Sequence, residues 1–163
     1  MSTHFSFQNL GSHWVALYPE PKGVIQFIGG AFFGTPPSVT YFLGAISSYF
    51  PTLPLVSYHF LLENLLRAGY SIAVVPYLLT VNHWPVARQL LAEQQQLPIE
   101  LLKASETLGY ATSSYQKTEN YLWVGHSMGW VYITLLRSLS WQSQTAGNPD
   151  QLDYLFRIVI LPA

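Results

Sequence analysis

One stretch, YLWVGHSMG at 121–129, constrains the fold of this chain more than any other. An apolar, strand-like run leads into a Gly-x-Ser-x-Gly motif at 125–129, and a helical pattern follows at once. A side chain at Gly125 or Gly129 would clash if the helix folded back against the strand. The stretch therefore predicts a strained strand-to-helix turn that lifts the Ser127 hydroxyl above the edge of a sheet.

Strand and helix patterns alternate along the rest of the chain. Strand patterns cover residues 14–18, 23–28, 70–76, 121–125 and 155–161, and helix patterns cover 58–68, 82–108 and 128–143. This alternation implies βαβ crossovers and a mostly parallel, doubly wound sheet with flanking helices, an α/β fold class. Pro98 predicts a break or kink in the second helix pattern. Residues 35–57 hold four prolines without a clear period, and we expect a long loop or lid there.

The composition excludes several classes of function. With 163 residues, 50% of them hydrophobic, the chain can bury a real core, and we expect residues 1–163 to form a single domain. Seven basic against eight acidic residues, without a basic run, argue against a nucleic-acid partner. The lack of cysteine excludes disulfides, a thiol nucleophile and a Cys-ligated zinc site. The five scattered histidines do not have the spacing of a metal site, so we expect no metal and no other cofactor.

Charge is scarce, which raises the question of a membrane. Only 9% of residues are charged, and none of them lies between Lys22 and Glu63. Prolines and the Gly29-Gly30 pair divide the apolar segments into pieces too short to span a bilayer. Peripheral membrane contact through an exposed apolar face stays open. Because no signal peptide is visible at the N-terminus, we expect a cytoplasmic protein, and its oligomeric state stays open.

Six segments, taken in order, resemble the DUF1350 family of cyanobacteria and plastid-bearing plants, whose sequences are similar to those of α/β-hydrolases. They are WVALYP at 14–19, FIGGAFFG at 27–34, YHFLLENL at 58–65, GYSIAVVPY at 69–77, NHW at 82–84 and GHSMG at 125–129. The resemblance implies an α/β-hydrolase-like fold and a location in the cyanobacterial cytosol or the plastid. Since family members continue beyond the last strand pattern, it also implies that this chain is truncated at its C-terminus.

The resemblance also implies a site. Ser127 would be the nucleophile of a serine ester or acyl hydrolase, in an elbow built from Gly125, His126 and Gly129. Two backbone amides would stabilise the developing oxyanion in such a site. One belongs to Met128, the residue after the nucleophile, and the other to Ala31 or Phe32, after the Gly-Gly pair.

The base and the acid of a catalytic triad are harder to find. In this fold the triad residues follow one another as Ser, then Asp or Glu, then His. No histidine follows Ser127, and the later acids, Asp150 and Asp153, precede a strand pattern instead of following one. Among the earlier histidines, His83 follows the carboxyl end of a predicted strand, at the edge that displays Ser127, so it is the candidate base.

Three hypotheses follow. The chain is a hydrolase whose triad is completed by sequence beyond residue 163, a catalytically silent binding or scaffold protein, or a truncated product that folds poorly. Under either of the first two hypotheses, the ligand would be small and apolar or of the acyl type, because aromatic residues lie near the predicted site. These residues are Tyr77, Trp84 and Trp130. Packing explains these aromatic residues equally well.

Overall fold

The computed structural model of the chain describes residues 6–30, 58–77, 80–145 and 157–159. The strands in these residues are β1 (Gln8–Leu10), β2 (His13–Ala16), β3 (Val24–Ile28), β4 (Ser71–Val74), β5 (Tyr121–Gly125) and β6 (Arg157–Val159). The helices are α1 (His59–Arg67), α2 (His83–Thr107), α3 (Ser113–Gln116) and α4 (Met128–Thr145), with a 3₁₀ turn at Thr118–Asn120. The predicted loop or lid at 35–57 lies outside the described residues.

The described strands form one sheet in the order β1-β2-β4-β3-β5-β6. β3 pairs in parallel with β4 and β5, and β5 pairs in parallel with β6, whereas β2 is antiparallel to both β1 and β4. The chain leaves β3 toward β4 and leaves β5 toward β6, in opposite directions. The carboxyl ends of β3 and β5 therefore flank the topological switch point of the sheet, where open α/β sheets bind their ligands.

Helices cover both faces of the sheet. α1 buries Leu62 and Leu66 against one face, where it contacts Ile25 and Phe27 of β3. On the opposite face α2 and α4 pack against Ile28, Trp123 and their neighbours. Every residue of β3 is buried, because successive side chains of a central parallel strand point alternately into the two layers. None of the described helices is long and apolar enough to cross a membrane.

This architecture confirms the predicted α/β-hydrolase-like fold class, with parallel pairing through the middle of the sheet and helices on both faces. The N-terminal strands differ from expectation. The first predicted strand, at 14–18, is β2 at His13–Ala16, and β1 precedes it. The three residues of β1 are polar or only partly buried, so they carry no hydrophobic period that a sequence pattern could reveal.

Two segments between β4 and β5 also differ from expectation. α2 continues through Pro98 without ending, because Leu97 and Leu101 are fully buried on both sides of the proline and hold the helix to the sheet. The segment at 111–120, which falls in none of the predicted strand or helix patterns, contains α3 and buries Tyr115. The Tyr115 hydroxyl lies 2.7 Å from Ser71 Oγ and donates to the Tyr18 carbonyl at 3.0 Å, which anchors this segment beneath the sheet.

Candidate active site at the carboxyl end of β5

Ser127 occupies a strained turn between β5 and α4. Its φ angle is +54°, and among the described residues it is the one non-glycine residue with a positive φ. An L-amino acid reaches this region at a cost, and such strain in proteins concentrates at functional sites. The Ser127 residue is exposed to solvent at the carboxyl end of β5. The structure thus has the conformation that the Gly-x-Ser-x-Gly motif predicts.

The two glycines of the motif allow this turn to form. A Cβ atom added to Gly129 would overlap with the carbonyl oxygen of Ile28, at the end of β3. A Cβ atom added to Gly125 would lie 2.6 Å from Cδ1 of Ile133 and 3.0 Å from the backbone of α4. Glycine is required at both positions because the first turn of α4 presses against β3 and β5.

Backbone hydrogen bonds tie the turn to β3 and close the start of α4. The His126 amide donates to the Ile28 carbonyl at 3.1 Å, so the turn continues the pairing of β5 with β3. The Gly129 amide donates to the His126 carbonyl at 3.0 Å, and the Trp130 amide donates to the Ser127 carbonyl, also at 3.0 Å. These bonds hold the Ser127 backbone in place although its side chain faces solvent.

The amide of Met128 is one of the two predicted oxyanion donors. Met128 is the first residue of α4, where backbone amides have no acceptor within the helix, and no acceptor for this amide lies among the described residues. The first turn of α4 contains no acidic residue to compensate the positive end of the helix dipole. Ala31 and Phe32, the predicted sources of the second amide, lie outside the described residues.

Tyr58, which immediately precedes α1, approaches the elbow from the opposite face of the sheet. Its hydroxyl accepts a hydrogen bond from the Gly30 amide at 3.0 Å and lies 2.8 Å from Nδ1 of His126. The rings of Tyr58 and His126 meet edge to face, with centroids 5.6 Å apart. Burial raises the pKa of the Tyr58 hydroxyl, and the Gly30 amide partly opposes that shift.

Tyr58 is a site residue that no sequence pattern indicates. It lies 68 positions before His126, and its own neighbours suggest only the start of an amphipathic helix. The sequence signals only the donor of its hydrogen bond, Gly30. Gly30 belongs to the Gly-Gly pair after β3, where a backbone amide can turn outward. A phenol is a natural acceptor for such an amide.

His83, the candidate base, is at the expected edge of the sheet but has another partner. It is the first residue of α2, and its Nδ1 lies 3.1 Å from the Tyr132 hydroxyl on α4. The ring of Tyr132 also contacts the ring of Tyr77, whose hydroxyl donates to the Gly29 carbonyl at 3.2 Å. Burial raises the pKa of both tyrosines.

Within the described residues, no histidine forms a hydrogen bond with the Ser127 hydroxyl. The role of His83 as a base stays a prediction. The same part of the chain contains no group of three or more His, Asp or Glu side chains that could hold a metal ion. The chemistry that the described site offers is therefore a hydroxyl, an imidazole and a phenol beside backbone amides.

Apolar side chains surround this edge of the sheet. Five large ones are exposed within or next to the first turns of α1, α2 and α4: Phe60, Val81, Trp84, Trp130 and Val131. Val131 is partly exposed because α4 turns Tyr132 and Ile133 inward instead. Of the aromatic residues expected to line a pocket, Trp84 and Trp130 are partly exposed, while Tyr77 is buried.

A shallow depression next to Trp84 extends along α2 toward α4. Asn82, Trp84, Pro85, Arg88 and Leu139 line it. Ser127 is not among these lining residues, so the depression lies beside the elbow and does not contain it. It adds apolar surface to the same side of the molecule.

Comparison with known proteins gives one family match. Residues 41–150 match the family model described as "Protein of unknown function (DUF1350)". No curated protein matches the chain. One solved structure that matches is a hormone-sensitive lipase from a metagenome library, with 14% sequence identity and a TM-score of 0.46. The match covers 90% of this chain and 40% of the lipase chain, so this chain spans about two-fifths of that protein.

Proposed function

The chain belongs to the DUF1350 family, and we propose that it is a serine hydrolase that cleaves ester or acyl bonds, with Ser127 as nucleophile. The observation that carries this proposal is the conformation of Ser127. A serine with φ of +54°, exposed at the end of a central parallel strand, costs stability without adding any packing. The nucleophile of an α/β-hydrolase needs this placement, because it keeps the hydroxyl above the sheet edge.

The surroundings of Ser127 support acyl chemistry. A carbonyl carbon attacked by Ser127 Oγ becomes tetrahedral, and its oxygen takes up negative charge. The Met128 amide and the positive end of α4 lie next to this position. A second donor from Ala31 or Phe32, after the Gly-Gly pair, completes the proposed oxyanion site.

We assign the substrate to the class of esters with an apolar acyl group. The exposed apolar side chains at the starts of α1, α2 and α4 would shield such a chain from water, and none of these first turns holds an acidic residue. The same surface would contact a membrane or micelle that supplies water-insoluble esters. Burial of one methylene contributes about 0.8 kcal/mol, which corresponds to roughly fourfold in kcat/KM per methylene.

A second candidate is a catalytically silent protein that binds an apolar ligand or serves as a scaffold. The absence of a histidine on the Ser127 hydroxyl, within the described residues, favours it. A serine without a base retains only about 10³–10⁴-fold catalysis over water, from the oxyanion site and binding. The two candidates share the fold and differ in the reactivity of Ser127.

Covalent labelling with a fluorophosphonate probe separates the two candidates. We expect labelling of the wild-type protein and its complete loss in Ser127→Ala. Ser138→Ala is the matched control, because Ser138 lies on α4 away from the elbow and its hydroxyl donates to the Thr134 carbonyl. A folded wild-type protein that resists the probe, with folding verified by circular dichroism, would favour the silent protein. Labelling that persists in Ser127→Ala would show that another residue is the nucleophile.

The substrate class has its own measurement. We expect kcat/KM for p-nitrophenyl esters to rise with chain length from acetate to octanoate. Trp84→Ala and Trp130→Ala should flatten this dependence without affecting the acetate ester. A preference for acetate over octanoate in the wild-type protein would contradict the assignment of an apolar acyl group.

A further inference from the structure

The contact between Tyr58 and His126 resembles the contact in a catalytic triad between the imidazole base and the acceptor that orients it. In a catalytic triad, the base is an imidazole whose Nδ1–H is held by a neighbouring acceptor, and its Nε2 takes the serine proton. Here Nδ1 of His126 is the nitrogen that lies 2.8 Å from the Tyr58 hydroxyl. Within the described residues Nε2 forms no hydrogen bond, and the His126 residue is exposed to solvent.

The His126 imidazole and the Ser127 side chain both lie next to Gly30. A Cβ atom added to Gly30 would lie 3.5 Å from Nδ1 of His126 and also 3.5 Å from Cβ of Ser127. It would lie 3.3 Å from the Tyr58 hydroxyl. All three side chains therefore border the position beside Gly30.

The Gly30 amide also influences which atom of the Tyr58–His126 pair carries the proton. The Tyr58 oxygen accepts the Gly30 amide at 3.0 Å and has a second lone pair for a further donor. If that donor is the Nδ1–H of a neutral His126 ring, Nε2 is unprotonated and can act as an acceptor. The same oxygen orients the ring, since a phenol held by a backbone amide has a fixed position.

We propose that Tyr58 is a positioning residue that holds His126 as its Nδ1–H tautomer, and that His126 is the base for Ser127. This inference rests on the proposed function of Ser127. His126 Nε2 removes the proton of the Ser127 hydroxyl while Oγ forms a bond to the acyl carbon. When the tetrahedral intermediate collapses, the bond to the leaving oxygen breaks and His126 returns the proton to that oxygen. Tyr58 orients the ring and keeps its own proton.

The first test reads the tautomer directly and does not depend on activity. In protein labelled with ¹⁵N-histidine, two-dimensional NMR at a pH where the imidazole is neutral distinguishes a protonated Nδ1 from a protonated Nε2. We expect a protonated Nδ1 at His126 in the wild-type protein and loss of this preference in Tyr58→Phe. The His126 signals are assigned with His126→Gln. A protonated Nε2 in the wild-type protein would overturn the proposal, because Nε2 could not then accept the serine proton.

The second test compares rates of labelling by the fluorophosphonate probe. We expect His126→Gln to slow labelling by about 10²-fold or more, with Tyr58→Phe between it and the wild-type protein. His59→Gln is the matched control, because His59 is an exposed histidine on α1 that lies beside Glu63. Equal rates in His126→Gln and wild type would overturn the assignment of the base. Loss of labelling in His83→Gln alone would give that role to His83.

The outcomes separate this inference from the proposed function. A labelled wild-type protein whose rate is unchanged in His126→Gln would leave Ser127 as nucleophile and remove only His126 as its base. A folded wild-type protein without any labelling would overturn both the nucleophile and the base. The tautomer at His126 would then still show whether Tyr58 positions the ring.

Discussion

The backbone of Gly129 lies so close to the carbonyl group of Ile28 that no side chain fits between them. An added Cβ would lie 2.7 Å from the carbonyl carbon of Ile28 and would overlap with its oxygen. The carbonyl carbon and oxygen of Ile28 are backbone atoms of β3, so they cannot move aside without separating α4 from β3. This contact sets the position of the first turn of α4 and, with it, the position of the Met128 amide.

Gly129→Ala should therefore destabilise the protein by at least about 3 kcal/mol, since it inserts a methyl group into a contact between two backbones. Gly109→Ala is the matched control, because no atom lies within 4 Å of a Cβ at that position and only the φ of +68° opposes the substitution. We expect the control to cost about 1 kcal/mol. Urea unfolding followed by circular dichroism measures both, and equal costs would contradict the close contact.

Ser127→Gly should be more stable than Ser127→Ala by about 1 kcal/mol. Both variants lack the hydroxyl, but alanine must still adopt a φ of +54°, whereas glycine reaches that region without a steric penalty. The free energy of unfolding, measured by urea titration of the two variants in parallel, gives the difference. Alanine at least as stable as glycine would mean that residue 127 is not strained in solution.

Stability should fall as the pH rises above 10. Burial raises the pKa of Tyr77, Tyr115 and Tyr121, and neighbouring tyrosines add to the shift in each of them. Above pH 10 the unfolded chain loses phenolic protons that the folded chain retains, so unfolding becomes more favourable. The loss approaches about 1.4 kcal/mol per pH unit for each tyrosine that ionises only on unfolding.

Urea midpoints at pH 8, 10 and 11 measure this loss of stability. Tyr121→Phe removes one of the phenols with a raised pKa, so the stability of this variant should depend less steeply on pH in this range. Its own cost at pH 8 is about 1 kcal/mol, because the Tyr121 hydroxyl donates to the Tyr115 carbonyl at 2.9 Å. Midpoints that stay constant from pH 8 to pH 11 would contradict the burial of these phenols.

Below about pH 6.5, His13 should make the free energy of unfolding fall as the pH falls. Burial lowers the pKa of its ring, and the nearby Glu93 opposes this shift. Within the described residues its Nε2 is buried without a hydrogen-bond partner. As the pH falls from 6.5 toward the lowered pKa of the folded state, the unfolded chain binds a proton that the folded chain does not, and stability is lost. In His13→Leu the urea midpoint should change less between pH 7 and pH 5 than in the wild-type protein.

The sequence by itself determined the elements whose signals are local. The Gly-x-Ser-x-Gly motif after an apolar run predicted the turn at Ser127, because the serine and the two glycines that allow its turn to form lie within five residues. The patterns of β3, β4, α1 and α4 follow from burial of one or both faces, which repeats along the chain at the period of a strand or a helix. The α/β class followed from the alternation of these patterns.

Tertiary structure decided the features that join distant parts of the chain. The antiparallel direction of β2 depends on its pairing with β4, where Val15 lies opposite Ala73, and no local pattern encodes strand direction. The same holds for the side chains around Ser127. His83 reaches Tyr132 across 49 positions, and Tyr58 reaches His126 across 68. Hydrogen bonds between such residues depend on where whole helices pack, so only the folded chain could show that His83 pairs with Tyr132 and His126 with Tyr58.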